Sequence, residues 1–285
     1  METQAADFKP VRFSTDDLPA RDRIPVWREL FGRSVFHTEI EPAPDVPFHA
    51  DLIVHSVPNL DLVTSIISPV RFSRTPALVA DGNDDVGFFV STSDGTAAQR
   101  GREIAFSAGE AVVMNAAEAG TCATPSTAHY RCVHIRRAEL APLVPNPDGA
   151  MLRRIPADVE ALQYLLGYLR FLEEGQTSIN ADLAKVAAVH VRDLFALVLG
   201  ATRDAAFVAE GRGLRMARLQ AIKRTVADNF GHCGLNVNAV AARHRVTPRY
   251  VQRLFEGEGT TFSEFLLNVR LARVHQMLAD PRYTG

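Results

Sequence analysis

Residues 239–259 read AVAARHRVTPRYVQRLFEGEG, two short apolar patterns either side of a break at His244, Arg245 and Val246. Past the break, Thr247 is a competent N-cap. Pro248 falls at the first helical position, where its missing N–H costs nothing. Val251, Leu254 and Phe255 recur at i, i+3 and i+4, so they share one helix face and must turn inward. That leaves Arg249, Gln252, Arg253 and Glu256 on the outer face. Before the break, Asn236 is an N-cap, and Val237, Val240 and Ala241 make a narrow apolar face. Ala241 is small where a second helix would cross closely. The spacing predicts two short helices meeting at a tight turn, the second with a polar, arginine-bearing outer face.

The flanks extend this pattern. LRMARLQAIKRTVADNFG (214–231) reads as a preceding helix. TFSEFLLNVRLARVHQML (261–278) reads as a following one, with Thr261 and Glu264 in capping-box spacing. Phe262, Phe265, Leu266, Val269 and Ala272 form its expected inner face, leaving Arg270 and Arg273 for solvent or phosphates. Residues 211–285 hold twelve Lys and Arg against five Asp and Glu, net +7. The rest holds nineteen against twenty-eight, net −9. A basic end on an acidic chain has the electrostatic footprint of a polyanion binder. Arginine offers a fork to guanine O6/N7 and glutamine pairs with adenine N6/N7, from the first turns of a helix laid in the major groove. Arg249, Gln252 and Arg253 are therefore candidate base-reading residues. Arg243, Arg245 and Thr247 at the turn, with Arg270 and Arg273, are candidates for phosphate contacts.

The rest of the chain has a different texture. The 285 residues are 47% hydrophobic and 22% charged with net charge −2, an ordinary globular composition long enough for two domains. Residues 1–37 read as a loose arm followed by a short helix around 23–32. Residues 38–141 alternate short β-branched or aromatic runs (LDLVTSIIS, VGFFVSTS, REIAFSAGEAVVMN, HYRCVHIRR) with Pro, Gly, Asn and Asp turns. This predicts an antiparallel sandwich or small barrel. PLVPNPDGA (142–150) is a break. Residues 150–202 carry two amphipathic helices, one with Leu162, Leu165, Leu166, Leu169 and Leu172 in a stripe, the other with Leu183, Val186, Ala187, His190, Leu194, Leu197 and Val198. They form a packing or dimerisation segment. Residues 203–213 are small, polar and Gly-flanked, and read as a linker to the domain 214–285.

No catalytic motif is evident: GxxxxGK[ST], GxSxG and HExxH do not occur, and the lysines are Lys9, Lys185 and Lys223. The chain is expected not to be an enzyme and to need no cofactor. Cys122, Cys132 and Cys233 form no CxxC pair, which fits a reducing compartment. The opening METQAADFKP has no apolar signal region, and His190, Arg192 and Asp193 interrupt the apolar face near 194–199. A cytoplasmic protein with no membrane partner is expected. In HYRCVHI, alternation puts Tyr130, Cys132 and His134 on one face and Val133 and Ile135 on the other. Small barrels often hold ligands inside, so Phe88, Phe89, Phe106, Tyr130 and His134 are candidates to line an effector pocket.

VAARHRVTPRYVQRLFEGEGTTFSEFLLNVRLARVHQMLAD (240–280) resembles the first half of the DNA-binding domain of AraC/XylS-type transcriptional regulators. The likeness is densest over 214–285, above all in TPRYVQRLF and GTTFSEFL. More weakly, the N-terminal part resembles the β-rich, cupin-like sensor domains of that family. The fold class implied is α+β: a cupin-like barrel or sandwich with following amphipathic helices, then an all-α helix-turn-helix domain. The resemblance implies a sequence-specific transcriptional regulator, commonly an activator. It would answer to a small organic effector and work as a homodimer on a DNA operator with RNA polymerase. By position, Arg249, Gln252 and Arg253 match the base-facing residues of the family's first recognition helix. A cupin-type metal site would need more than the cluster Cys122, His129, Cys132 and His134, so no metal is expected. The rival reading from the residues is a small-molecule-binding cupin-like protein or enzyme whose C-terminal helices do not read DNA. The chain departs from the family twice: Arg245 stands in the turn where many members have glycine, and the second helix-turn-helix unit is missing after RYTG.

Overall fold

The computed structural model describes residues 10–33, 36–57, 59–174 and 181–279. In chain order, strand β1 (Val11–Ser14) precedes helix α1 (Ala20–Trp27), which runs on through a wider helical turn, Arg28–Arg33. Strands β2 (Glu39–Pro42), β3 (Ala50–Val57), β4 (Leu60–Ile67) and β5 (Val70–Arg74) lead to the short helix α2 (Pro76–Val79). Then come β6 (Val86–Ser91), β7 (Gly95–Gln99), β8 (Arg102–Phe106), β9 (Ala111–Asn115), β10 (Gly120–Thr124) and β11 (Ala128–Ile135). Helix α3 (Arg137–Leu140) and β12 (Arg154–Ile155) close the β region. Seven helices follow from there to the last described residue: α4 (Glu160–Glu174), α5 (Ala181–Leu199), α6 (Arg203–Ala209), α7 (Arg215–Asn229), α8 (Val237–Arg243), α9 (Pro248–Glu256) and α10 (Phe262–Ala279).

The strands form two sheets with antiparallel pairing, ordered β1-β3-β4-β11-β6-β9-β12 and β2-β5-β10-β7-β8. Together they make the expected double-sheet sandwich. The larger sheet is covered on both sides, which is why its central strands read as nearly unbroken apolar runs. Its outer face carries Leu60, Leu62, Val86, Phe88, Val113, Val133 and Ile135 into one core with α4 and α5. Its inner face joins Trp27, Phe31, Ile40 and Phe48 in a second core. The β7–β8 hairpin turns on Arg100 and Gly101, both at positive φ (57° and 69°), as a two-residue turn matching strand twist requires.

Three expectations change here. Residues 11–14 are not part of a loose arm: they pair with β3 as the edge of the larger sheet, while residues 1–9 lie outside the described residues. Residues 203–213 are helical rather than an open linker. Thr202 caps α6 by accepting from the Ala205 N–H, and a widened turn, Glu210–Leu214, joins it to α7. Most of that path is exposed, but Ala209 and Gly213 are buried: a Cβ on Gly213 would fall 2.9 Å from the His190 carbonyl oxygen, so only glycine fits. Finally, Leu183 and Val186 face outward on α5. The helix buries Ala184, Val191 and Phe195 together with the expected Ala187, His190, Leu194 and Val198.

The C-terminal helices enclose their own core. Leu219, Ile222 and Val226 of α7 meet Val240 and Ala241 of α8, Val251, Leu254 and Phe255 of α9, and Phe262 and Leu266 of α10. From Leu271 to Leu278 the α10 side chains stand in solvent, Ala272 among them, so its expected inner face ends a turn early. Leu267, Leu271 and Val274 are also exposed. Residues 280–285, on which the reading of a missing second unit rests, lie outside the described residues.

Candidate functional site

Two sites emerge, one inside the sandwich and one on α9. The first is a cavity of about 210 Å³ between the sheets. Strand alternation builds it. Tyr130, Cys132 and His134 of β11 face inward, opposite Val133 and Ile135, as the sequence predicts. The β4–β11 register sets Asp61 across from His134, Val63 across from Cys132 and Ser65 across from Tyr130. On the other side of β11, Gly87 pairs with His134 and Phe89 with Cys132. The smaller sheet adds Phe72 of β5 and Cys122 of β10, and Phe36 and His37 lie at one end.

The cavity is apolar within and polar at that end. The Phe72 ring meets Tyr130 edge-on at 6.2 Å and lies 6.0 Å from Phe36, which stacks 6.4 Å from His134. The Tyr130 and Thr124 hydroxyls share a hydrogen bond, while burial raises the Tyr130 pKa. Burial pushes the Cys122 and Cys132 thiols up to about 12, so both stay protonated and unreactive. Burial also lowers the His134 pKa and raises that of Asp85. Arg74 is nearly buried and fully engaged. It donates to the carbonyls of His37 (2.8 Å) and Ala116 and pairs with Asp81 at 2.7 Å.

Of the five pocket residues expected from sequence, Phe89, Tyr130 and His134 face the cavity. Phe88 borders the cavity too, and Phe106 falls outside its lining. Phe88 belongs to a bordering strand, but its ring turns to the opposite core and packs edge-on against Phe195 of α5 at 5.3 Å. Phe106 packs on Phe89 at 5.5 Å, behind the cavity wall. Phe36, Phe72, Asp61 and Asp85 were not anticipated. Asp61 shares the alternation of Val63, Ser65 and Ile67 in LDLVTSII, but only the register with β11 reveals its place beside His134. Among the described residues, no three His, Cys, Asp or Glu side chains converge to hold a metal ion, and His129 faces solvent.

The second site rests on helix geometry. Asn236 caps α8 through its side-chain oxygen, accepting from the N–H groups of Asn238 and Ala239, and Thr247 caps α9 by accepting from the Tyr250 N–H. At the turn between them the Val246 N–H returns to the Ala241 carbonyl (3.0 Å) and the Arg245 N–H to the Ala242 carbonyl (3.2 Å). This is the Schellman pattern, with Arg245 in the left-handed position at φ 53°. The departure seen in the sequence is thus a true positive-φ arginine. With Val251, Leu254 and Phe255 buried, Arg249, Gln252, Arg253 and Glu256 project outward together. Arg243, Arg245 and Thr247 lie exposed beside them, as does Arg273. Arg270 differs from expectation: it is half-buried and donates to the carbonyls of Phe230 (2.9 Å) and His232 (3.3 Å), closing the end of α7.

A chain of contacts joins the two sites. At the end of α4, Glu173 accepts from Thr64 (2.8 Å) and Arg131 (2.9 Å), on the two strands whose other faces line the cavity. At its start, Glu160 pairs with Arg218 of α7 at 3.3 Å. The Arg218 guanidinium lies between Tyr164 of α4 (5.3 Å) and Tyr250 of α9 (5.8 Å), and Arg253 stacks on the same Tyr250.

The transcriptional activator RhrA of Rhizobium meliloti (strain 1021) is 27% identical over 277 residues, 95% of this chain and 84% of RhrA. The crystal structure of the AraC-like transcriptional activator CuxR matches with a TM-score of 0.57 at 15% identity, over 94% of each chain, which shows a shared fold. Sandwich, cavity and helical unit together are the architecture of an AraC-type regulator, a DNA-binding protein with an effector-binding domain. The chain belongs to the AraC-binding-like domain family, which matches residues 27–200.

Proposed function

We propose that the cavity between the sheets binds the effector and that α9 reads DNA with Arg249, Gln252 and Arg253. The observation that carries the DNA assignment is the orientation of α9. Its apolar face is fully committed to the helical core, so three side chains suited to base edges face outward in its first turns, Arg253 resting on Tyr250. Arg243, Arg245, Thr247 and Arg273 serve as phosphate contacts, while Arg270 has a structural role. RhrA and CuxR are transcriptional activators, and we carry activation over to this chain, with RNA polymerase as its partner. The absence of catalytic motifs and the activator relatives favour a regulator over an enzyme. Among the described residues no helix is long and apolar enough to cross a membrane, and we place the protein in the cytoplasm. The exposed Leu183 and Val186 of α5 supply a seam for a homodimer.

The test is a salt titration of DNA binding. Phosphate contacts predict an affinity falling steeply between about 50 and 200 mM salt, with a slope near −0.9 per contact. DNA binding that is absent at low salt, or independent of salt, would defeat the reading.

A further inference from the structure

The polar end of the cavity is lined by two carboxylates that no lining cation pairs with. Asp61 of β4 faces His134 across the β4–β11 register. Asp85 stands just before β6, two residues from Gly87, the partner of His134 on its other side. Two carboxylates therefore flank one imidazole. Among the described residues, neither carboxylate accepts a hydrogen bond or forms an ion pair, and the His134 ring has no hydrogen-bond partner either. The other charges of the cavity lining are spoken for. Arg74 is held by Asp81 and two carbonyls, and Glu118 by Arg100. His37 lies 3.4 Å from Asp81. Burial favours the neutral imidazole of His134, so it supplies no counter-charge near neutral pH.

Aromatic rings line the same space: Phe72 from the smaller sheet, Phe89 and Tyr130 from the strands that carry Gly87 and His134, and Phe36 beside His134. Aromatic faces carry a negative quadrupole and attract cations. A bound anion would meet two carboxylates, and Arg136, the cation beside Asp85, is exposed to solvent and not part of the lining. A bound neutral molecule would leave both carboxylates without a counter-charge. Because no three metal-ligating side chains converge here, a metal ion is poorly held. At about 210 Å³ the cavity suits a small molecule.

Resting on the reading of this cavity as the effector site, we propose that its ligand is a small organic cation. Its ammonium group sits between Asp61 and Asp85, and its apolar body lies against Phe36, Phe72 and Phe89. The test is calorimetric titration of the whole chain with three probes on one skeleton: phenethylamine, 2-phenylethanol and phenylacetate. The amine is expected to bind about tenfold or more tighter than the alcohol, and phenylacetate to bind least. Asp61→Asn and Asp85→Asn should each weaken the amine about tenfold, with ligand-free thermal unfolding checking that both variants fold. Phenylacetate binding as tightly as the amine, with affinity lost in Phe72→Ala, would overturn the cation while leaving the cavity as a ligand site. Amine binding unchanged in both Asn variants would also overturn it. If none of the three probes binds at millimolar concentration, the effector-site reading falls and the proposal with it.

Discussion

Arg245→Gly sets fold against function at one position. The α8 turn is a Schellman motif whose left-handed residue is Arg245 at φ 53°. The chain closes α9 with the same pair of bonds, from Thr260 to Phe255 and from Gly259 to Glu256, and there it uses glycine, at φ 72°. Left-handed backbone costs a non-glycine residue about 1–2 kcal/mol. Glycine's greater freedom in the unfolded chain offsets about 0.4–1 kcal/mol of that relief. The Arg245 side chain is exposed and, among the described residues, makes no hydrogen bond or ion pair, so its loss subtracts nothing more. Arg245→Gly should therefore stabilise the protein by about 0.5–1 kcal/mol in urea unfolding. If Arg245 contacts a phosphate, the same variant should bind DNA more weakly, with the salt slope smaller by about 0.9. A stability that falls would refute the strain argument. A stabilised variant with unchanged DNA affinity and slope would refute the phosphate role.

Other substitutions probe the two cores and their connection. Phe88→Ala should cost about 3–5 kcal/mol, because the ring is fully buried against Phe195, while Phe89→Ala, which opens onto the cavity, should cost clearly less. Equal losses in denaturant unfolding would contradict their assignment to opposite faces. Arg218→Ala removes a guanidinium held between Tyr164 and Tyr250 and should cost about 1–2 kcal/mol, the ion pair to the exposed Glu160 adding little. Arg218→Lys should recover less than half of that, since an ammonium cannot stack as a plane, and full recovery would argue against stacking. Burial lowers the pKa of His190, whose Nδ1 lies 2.9 Å from the Tyr168 hydroxyl, and also lowers those of His55, His134 and His244. In each case the unfolded chain binds more protons. Stability should be full above the ordinary histidine value near about 6.5 and fall as pH drops below it. His190→Gln should flatten that decline, and a thermal midpoint that rises on acidification would contradict the sign.

What was legible in the sequence followed its periodicities. The caps Asn236 and Thr247, the capping box at Thr261 and Glu264, and the buried triad of α9 are local patterns, and each occupies its expected place. The inward set Tyr130, Cys132 and His134 came from simple alternation. The misses arose where tertiary pairing decides. In VGFFVS both faces of β6 are covered, so the sequence does not say which phenylalanine meets the cavity. Asp61 and Asp85 join His134 through register alone. Residues 203–213 looked like a linker because Ala and Gly are small, yet Ala209 and Gly213 are small where helices cross closely. Arg270 resembled its exposed neighbours until the end of α7 was found beside it.

The central claim is that α9 reads base edges, and the base preference of the Arg253→Ala variant tests it most directly. DNA sites selected from a random library by the unaltered protein supply the target. The account predicts that Arg253→Ala binds that target more weakly by about 1–3 kcal/mol and loses preference at one base position, with the salt slope nearly unchanged. An unchanged affinity with the same preference at every position would contradict it.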